Sequence, residues 1–250
     1  LSAISVRAVK GLGGEAHIAI SVEGPTMAKY VLFNFWKSSC SWRVRTALLW
    51  KGVAFEYRAV DLRQSGGGEQ HQEEFRKLNP NQRVPALVVD GRTLAQSGAI
   101  LEFLEEAHPE KPLLPVDLFV RAQVRNLCAI IGCDIQPMQN SGVTTKVRTR
   151  RASRSSAEDD ELKVAAWAKF WIERGFKALE EELTRCAGCY CVGDDVTMAD
   201  VYLLPQVYNG RAVQVDIAAY PTIARVAAAL EQLPAFVSAQ PSNQPDAVSS

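Results

Sequence analysis

The sequence carries no surplus of either charge: its 250 residues hold 28 lysines and arginines against 28 aspartates and glutamates. Proteins that grip nucleic acid or an anionic membrane by broad electrostatics need a basic excess, so neither partner is expected. No apolar run approaches the roughly 20 residues that span a bilayer. Histidine is scarce, with residues only at 17, 71 and 108. That scarcity bears on the one cysteine cluster, Cys186, Cys189 and Cys191. Zinc usually wants four ligands in two spaced pairs. No second pair exists, so no metal is expected. Six cysteines in a chain of this length do not make a disulfide framework, and they read as reduced thiols of a cytoplasmic protein. Residues 1–28 hold neither a long apolar core nor a clear cleavage site, and they are expected to form a flexible extension.

Apolar residues make up 47% of the chain, an ordinary share for a globular protein. Lys29 to Asn34 is a short β-forming run. A serine-rich turn follows, then a helical pattern from Trp42 that stops at Gly52. Val53 to Val60 reads as a second strand, and Glu69 to Leu78 as a short polar helix. Asp90-Gly91 between two β-like runs signals a two-residue hairpin. Ser97 is expected to cap a helix ending near Ala107. The order β-α-β-α-β-β-α, with a helical crossover between the first two strands, favours parallel pairing there. A proline-rich stretch at 110–116 reads as a linker. Helices are expected at about 117–149, bending near Pro137, and at 158–185, 197–209 and 221–232. Thr197 and Asp200 have capping-box spacing, which makes Asp200 structural. The expected organisation is α+β: a domain at 29–109, an all-helical domain at 117–237, and a tail at 238–250, disordered from Pro241 onward.

Chemistry gathers at the first strand–helix turn, Ser38-Ser39-Cys40-Ser41. Hydroxyls at a helix N-terminus stabilise an anion through hydrogen bonds and the helix dipole. The same serines could simply cap the helix. Cys40 could be a redox nucleophile, but a C-x-x-C pair is missing, since Lys37 and Arg43 stand where the partner would be. Arg43 could face carboxylates or lie on a solvated helix face. Arg45 fits a solvated face.

The segments SSCSWRVRTAL, NPNQRVPALVVDG, QSGAILEFLEE, IQPMQN and YCVGDDVTMAD resemble the zeta class of glutathione transferases over roughly residues 29 to 237. The resemblance implies a thioredoxin-like N-terminal domain with a mixed four-stranded sheet, an all-α C-terminal domain, a homodimer, and glutathione as cofactor. It assigns thiolate activation to Ser38, with Ser39 and Cys40 completing the motif. A cis Val84-Pro85 would leave the Val84 backbone free to clamp the cysteinyl unit. Gln96 and Ser97 would hold the γ-glutamyl end, with Gln70 contributing. Gln136 and Asn140 would line the site from the helical domain. Arg43 and, less closely aligned, Arg211 are candidates for a dicarboxylate substrate. The implied reaction converts maleylacetoacetate to fumarylacetoacetate, a step of tyrosine and phenylalanine catabolism. Glutathione conjugation or dehalogenation of small electrophiles is the alternative chemistry, and a binding or assembly module the alternative without chemistry.

Overall fold

The computed structural model describes residues 4–10, 16–22, 28–63, 67–149 and 157–248. Strand β1 (Ile4–Lys10) pairs antiparallel with β2 (Ala16–Val22) as a separate two-stranded sheet. Within the extension expected to be flexible, residues 4–10 and 16–22 are thus paired strands, and residues 1–3, 11–15 and 23–27 lie outside the described residues. The alternating, β-branched segments ISVRAVK and AHIAISV are strand patterns in their own right.

The main sheet is built around β3 (Tyr30–Asn34), whose residues alternate between buried and half-buried. It pairs in parallel with β4 (Glu56–Ala59) and antiparallel with β5 (Ala86–Val89). β5 in turn pairs with β6 (Arg92–Ala95), giving the order β4-β3-β5-β6. The crossover between β3 and β4 is α1 (Ser39–Lys51), which ends where Gly52 adopts φ 70° and its N–H meets the carbonyls of Leu48 and Leu49. The hairpin between β5 and β6 turns on Asp90 and Gly91, with φ 48° and 79°, the positive pair that matches strand twist. The short α2 (Glu73–Leu78) and α3 (Ser97–Ala107) complete the expected order. Ser97 is the first helical residue rather than the cap. Gln96 holds the cap position, with φ 70° and no capping side-chain bond.

The helix expected over 117–149 is broken. It comprises α4 (Leu118–Ala129), a π-helical turn at Ile130–Ile135, α5 (Gln136–Gln139) and α6 (Ser141–Thr149), with Asn140 extended between the last two. Pro137 offers no N–H, and its ring displaces the carbonyl one turn back, so the chain widens ahead of it. The long α7 (Ala157–Cys186) crosses this region at Gly175, where a Cβ would come within 2.2 Å of the Ile135 side chain. Next comes α8 (Met198–Ala212), capped reciprocally by Thr197 and Asp200. Burial raises the Asp200 carboxyl above its ordinary range. Last are α9 (Pro221–Leu230) and α10 (Pro234–Ala239). Among the described residues no helix is long and apolar enough to cross a membrane.

Two segments read as loose are bonded. In the linker, the Glu105 carboxylate accepts the N–H groups of Leu113 and Leu114 at 2.9 Å each. It also pairs with Lys51 Nζ at 2.7 Å, with neither side chain more than 8% exposed. In the end of the tail, residues 241–250, expected to be disordered, Pro241 is buried and Asp246 bonds to Trp36 and Tyr57 in the sheet domain. Glu105→Ala would orphan two buried N–H groups and leave the Lys51 ammonium, still bonded to the His108 and Lys111 carbonyls, without its counter-ion. It is expected to cost about 3 kcal/mol, measurable by denaturant unfolding.

Candidate active site

The site begins at the turn between β3 and α1. Ser38 is the N-cap, with φ −72° and ψ 118°, and its Oγ accepts the Ser41 N–H at 3.2 Å. Its own N–H donates to the Phe35 carbonyl at 3.0 Å, and its carbonyl accepts the Trp42 N–H at 2.9 Å. Ser39 opens the helix and is buried, while Cys40 is half-exposed.

Beneath this turn lies Arg45, fully buried rather than on the solvated face its sequence position suggested. Nη1 donates to Asn34 Oδ1 at 2.9 Å and to the Phe35 carbonyl at 3.3 Å. Nη2 donates to the Trp36 carbonyl at 2.9 Å and the Ala239 carbonyl at 3.0 Å, and Nε reaches Ala239 as well. Burial pulls the guanidinium down to about 10, which leaves it charged at neutral pH. A side chain with this many donors is satisfied by carbonyls that a sequence pattern cannot place.

A cavity of about 380 Å³ opens above the turn. Ser38, Cys40, Gln70, Val84, Pro85, Gln96, Ser97, Gln136 and Asn140 all line it. The Val84-Pro85 peptide is cis, and the Val84 N–H and C=O have no hydrogen-bond partner among the described residues. Gln70 Nε2 donates to the Gly67 carbonyl at 2.7 Å, and its Oε1 is buried without a partner. Sequence reasoning missed other lining residues. His71 is bonded to Gln82 at 2.8 Å, and Arg83, Ser141 and Gly142 close the rim. His71 sits next to a named candidate and Arg83 precedes the clamp residue, which were the available signals. Among the described residues that line this wall, Arg83 is the one permanently charged side chain and none is a carboxylate. The cavity therefore favours anions.

Ser39 lines neither this cavity nor the second, of about 400 Å³, which shares Cys40, Gln96, Ser97 and Gln136. Arg43 stands in the second wall and is only 2% exposed, which excludes the solvated-face reading. Its guanidinium lies 4.1 Å from the centroid of the Tyr202 ring. Nη1 donates to Ser97 Oγ at 3.4 Å and lies 3.9 Å from Cys40 Sγ, while Nε and Nη2 are buried without partners. Burial raises the Tyr202 hydroxyl to about 12, so it stays protonated near neutrality. Arg211 lines neither cavity. It pairs with Glu231 near the far end of α8, about 13 Å along the axis beyond Tyr202 at helical rise. The candidate for the diacid substrate therefore stands apart from both cavities.

The geometry is that of an anion-friendly groove with an open peptide edge beside a hydroxyl-bearing helix start. The sequence profile of the glutathione S-transferase N-terminal domain matches residues 28–106. A probable maleylacetoacetate isomerase 2 of Drosophila melanogaster is 47% identical over 216 residues, covering 86% of this chain and 89% of that protein. A solved bacterial maleylpyruvate isomerase, described as a zeta-class glutathione S-transferase, superposes with a TM-score of 0.81 at 43% identity over 87% of this chain and 100% of its own. The chain belongs to the zeta class of glutathione transferases. A further solved relative of this class is the maleylacetoacetate isomerase of Anaeromyxobacter dehalogenans 2CP-1 with bound glutathione. Its TM-score is 0.77 and its identity 44%, over 88% of this chain and 99% of its own.

In this zeta-class site, Ser38→Ala removes the cap of α1 and is expected to cost about 1 kcal/mol in chemical denaturation. Arg211→Ala breaks only the exposed pair with Glu231, so glutathione affinity measured by calorimetry should not change.

Proposed function

We propose that this chain catalyses the glutathione-dependent cis–trans isomerisation of maleylacetoacetate to fumarylacetoacetate. The observation that carries the reading is the unpaired Val84 backbone facing the same cavity as Ser38. An extended peptide can add there as a strand and bring its own thiol to the hydroxyl-bearing turn. Relatives named maleylacetoacetate isomerase, at 45% and 46% identity in Dictyostelium discoideum and Rattus norvegicus, agree with it. The residues fit glutathione, because Gln70 Oε1 is a buried acceptor still lacking a donor, and the start of α3 presents N–H groups where a carboxylate belongs.

Within this reading, Val84 N–H and C=O hold the cysteinyl unit, and the N–H groups at Gln96 and Ser97 hold the γ-glutamyl carboxylate. When bound, glutathione supplies a thiolate that adds reversibly to the cis double bond and so permits rotation about it. Ser38 donates a hydrogen bond that favours the charged sulfur at the positive end of α1. Cys40 sits beside it as a modulator, near the buried cation of Arg43. Gln136 and Asn140 face the diacid from the helical domain. The carboxylate-free wall with Arg83 suits a doubly charged substrate and stabilises negative charge that develops on it.

A second reading takes maleylpyruvate as substrate, because a Ralstonia relative carrying the name maleylpyruvate isomerase is 45% identical over 86% of this chain. A cytoplasmic homodimer accompanies either reading. Six free cysteines fit the compartment, and Val116, Leu118 and Phe119, each at least 80% exposed at the start of α4, are apolar surface a second subunit would cover.

The test follows both diacids by ultraviolet absorbance and proton NMR, with and without glutathione. Conversion is expected only with glutathione, and the free thiol concentration should stay constant. Stoichiometric loss of thiol would instead mark a conjugating transferase, and the absence of any glutathione-dependent rate would end the isomerase reading.

A further inference from the structure

The two peptide groups that lead into Ser38 are held from outside the turn, one by a residue 210 positions away and one by Arg45. Trp36 N–H donates to Asp246 Oδ2 at 3.1 Å, and the other carboxylate oxygen of Asp246 accepts from the Tyr57 hydroxyl. The Trp36 carbonyl accepts from Arg45 Nη2, and Nη2 and Nε of the same guanidinium also donate to the Ala239 carbonyl in the C-terminal segment. The Phe35 carbonyl accepts both Arg45 Nη1 and the Ser38 N–H. Both polar groups of Trp36 are therefore fixed from outside the turn, one directly by the C-terminal segment and one through Arg45. Arg63 lies over the Phe35 and Trp36 rings, at 5.3 and 5.8 Å, and packs the turn from the third side. The Ser38 hydroxyl itself has only a 3.2 Å bond to Ser41 N–H to orient it. Its direction thus depends on the backbone that precedes it.

We propose that the C-terminal segment is a strap that positions the thiol-activating turn, with Asp246 as its positioning residue. This rests on the glutathione reading above and deepens it. The groove that receives the tripeptide is built from Val84, Gln96, Ser97 and Gln70, none of which is hydrogen-bonded to the C-terminal segment among the described residues. The direction of the Ser38 hydroxyl is set by Trp36, which is. Loosening the strap therefore weakens thiol activation while leaving the affinity for protonated glutathione in place. A displaced positioning group can cost catalysis tenfold to a hundredfold even when the fold persists.

The experiment compares the full chain with its Asp246→Ala and Asp246→Asn variants. Glutathione affinity is read by calorimetry, ionisation of the bound thiol by thiolate absorbance against pH, and kcat and KM with the diacid. For Asp246→Ala the bound-thiol titration should move to higher pH and kcat at neutral pH should fall by about tenfold. Read below the bound-thiol titration, where only the protonated tripeptide binds, the glutathione Kd should stay within about twofold of the parent, since the groove is untouched. Asp246→Asn keeps an acceptor for Trp36 N–H and should recover most of the loss. If Asp246→Ala does not fold, Tyr57→Phe, which removes the other bond to the carboxylate, should move the titration the same way by less. An unmoved thiol titration in a folded Asp246→Ala, or in Tyr57→Phe where only that variant folds, overturns the strap. If the parent ionises glutathione but turns over neither diacid, the isomerase reading fails while the titration still decides the strap.

Discussion

The guanidinium of Arg45 ties the end of the first central strand and the turn after it to the far end of the chain. It bridges the end of β3, the turn before α1 and the carbonyl that ends α10. Burying a cation costs several kcal/mol unless its donors are all met, and Arg45 meets them with one amide and three backbone carbonyls. A lysine would keep the charge but could not span those acceptors with one ammonium. The sheet domain and the end of the helical domain are thus held in one arrangement by a group that never reaches the cavity. The turn that carries Ser38 stands directly on that bridge.

Arg43, two residues earlier on α1, shows the opposite solution to a buried charge. It stacks on an aromatic ring, uses one nitrogen, and leaves two others unpaired. Cation–π contact offsets part of the desolvation penalty. Glycines at 98 and 132 let the Tyr202 ring lie where it does, since a Cβ at either would come within 3.1 Å of it. The arrangement places positive potential behind Cys40 and Ser97 while the described lining at the front of the groove carries Arg83 and no acid. The second wall also holds the Glu102 carboxylate, which is paired with Arg125, so its described lining carries two guanidiniums against one acid.

Local signals made much of this legible from sequence. The strand, serine turn and helix at residues 29–52, the Asp90-Gly91 hairpin, the Val84-Pro85 break and the Thr197–Asp200 box each depend on neighbours a few residues apart, and each is present in the fold. Most of the groove followed from the same local motifs. What sequence reasoning missed depends on distant partners. The burial of Arg45 needs Ala239, the docking of the tail needs Trp36 and Tyr57, and the pairing of Arg211 needs Glu231. The π-helical turn is an intermediate case. Pro137 announced a bend, but the wider winding ahead of it is a tertiary fit against α7 that periodicity does not encode.

That fit has a consequence for how the protein can vary. At Gly175 the long helix touches the Ile135 side chain with its bare backbone, and the next residue in the chain, Gln136, belongs to the cavity wall. A single methyl group added on the far side of that contact would have nowhere to go except into the π turn, which would carry Gln136 with it. The width of the groove is thus set partly from the back of the molecule, by the one hydrogen atom that glycine keeps in place of a side chain.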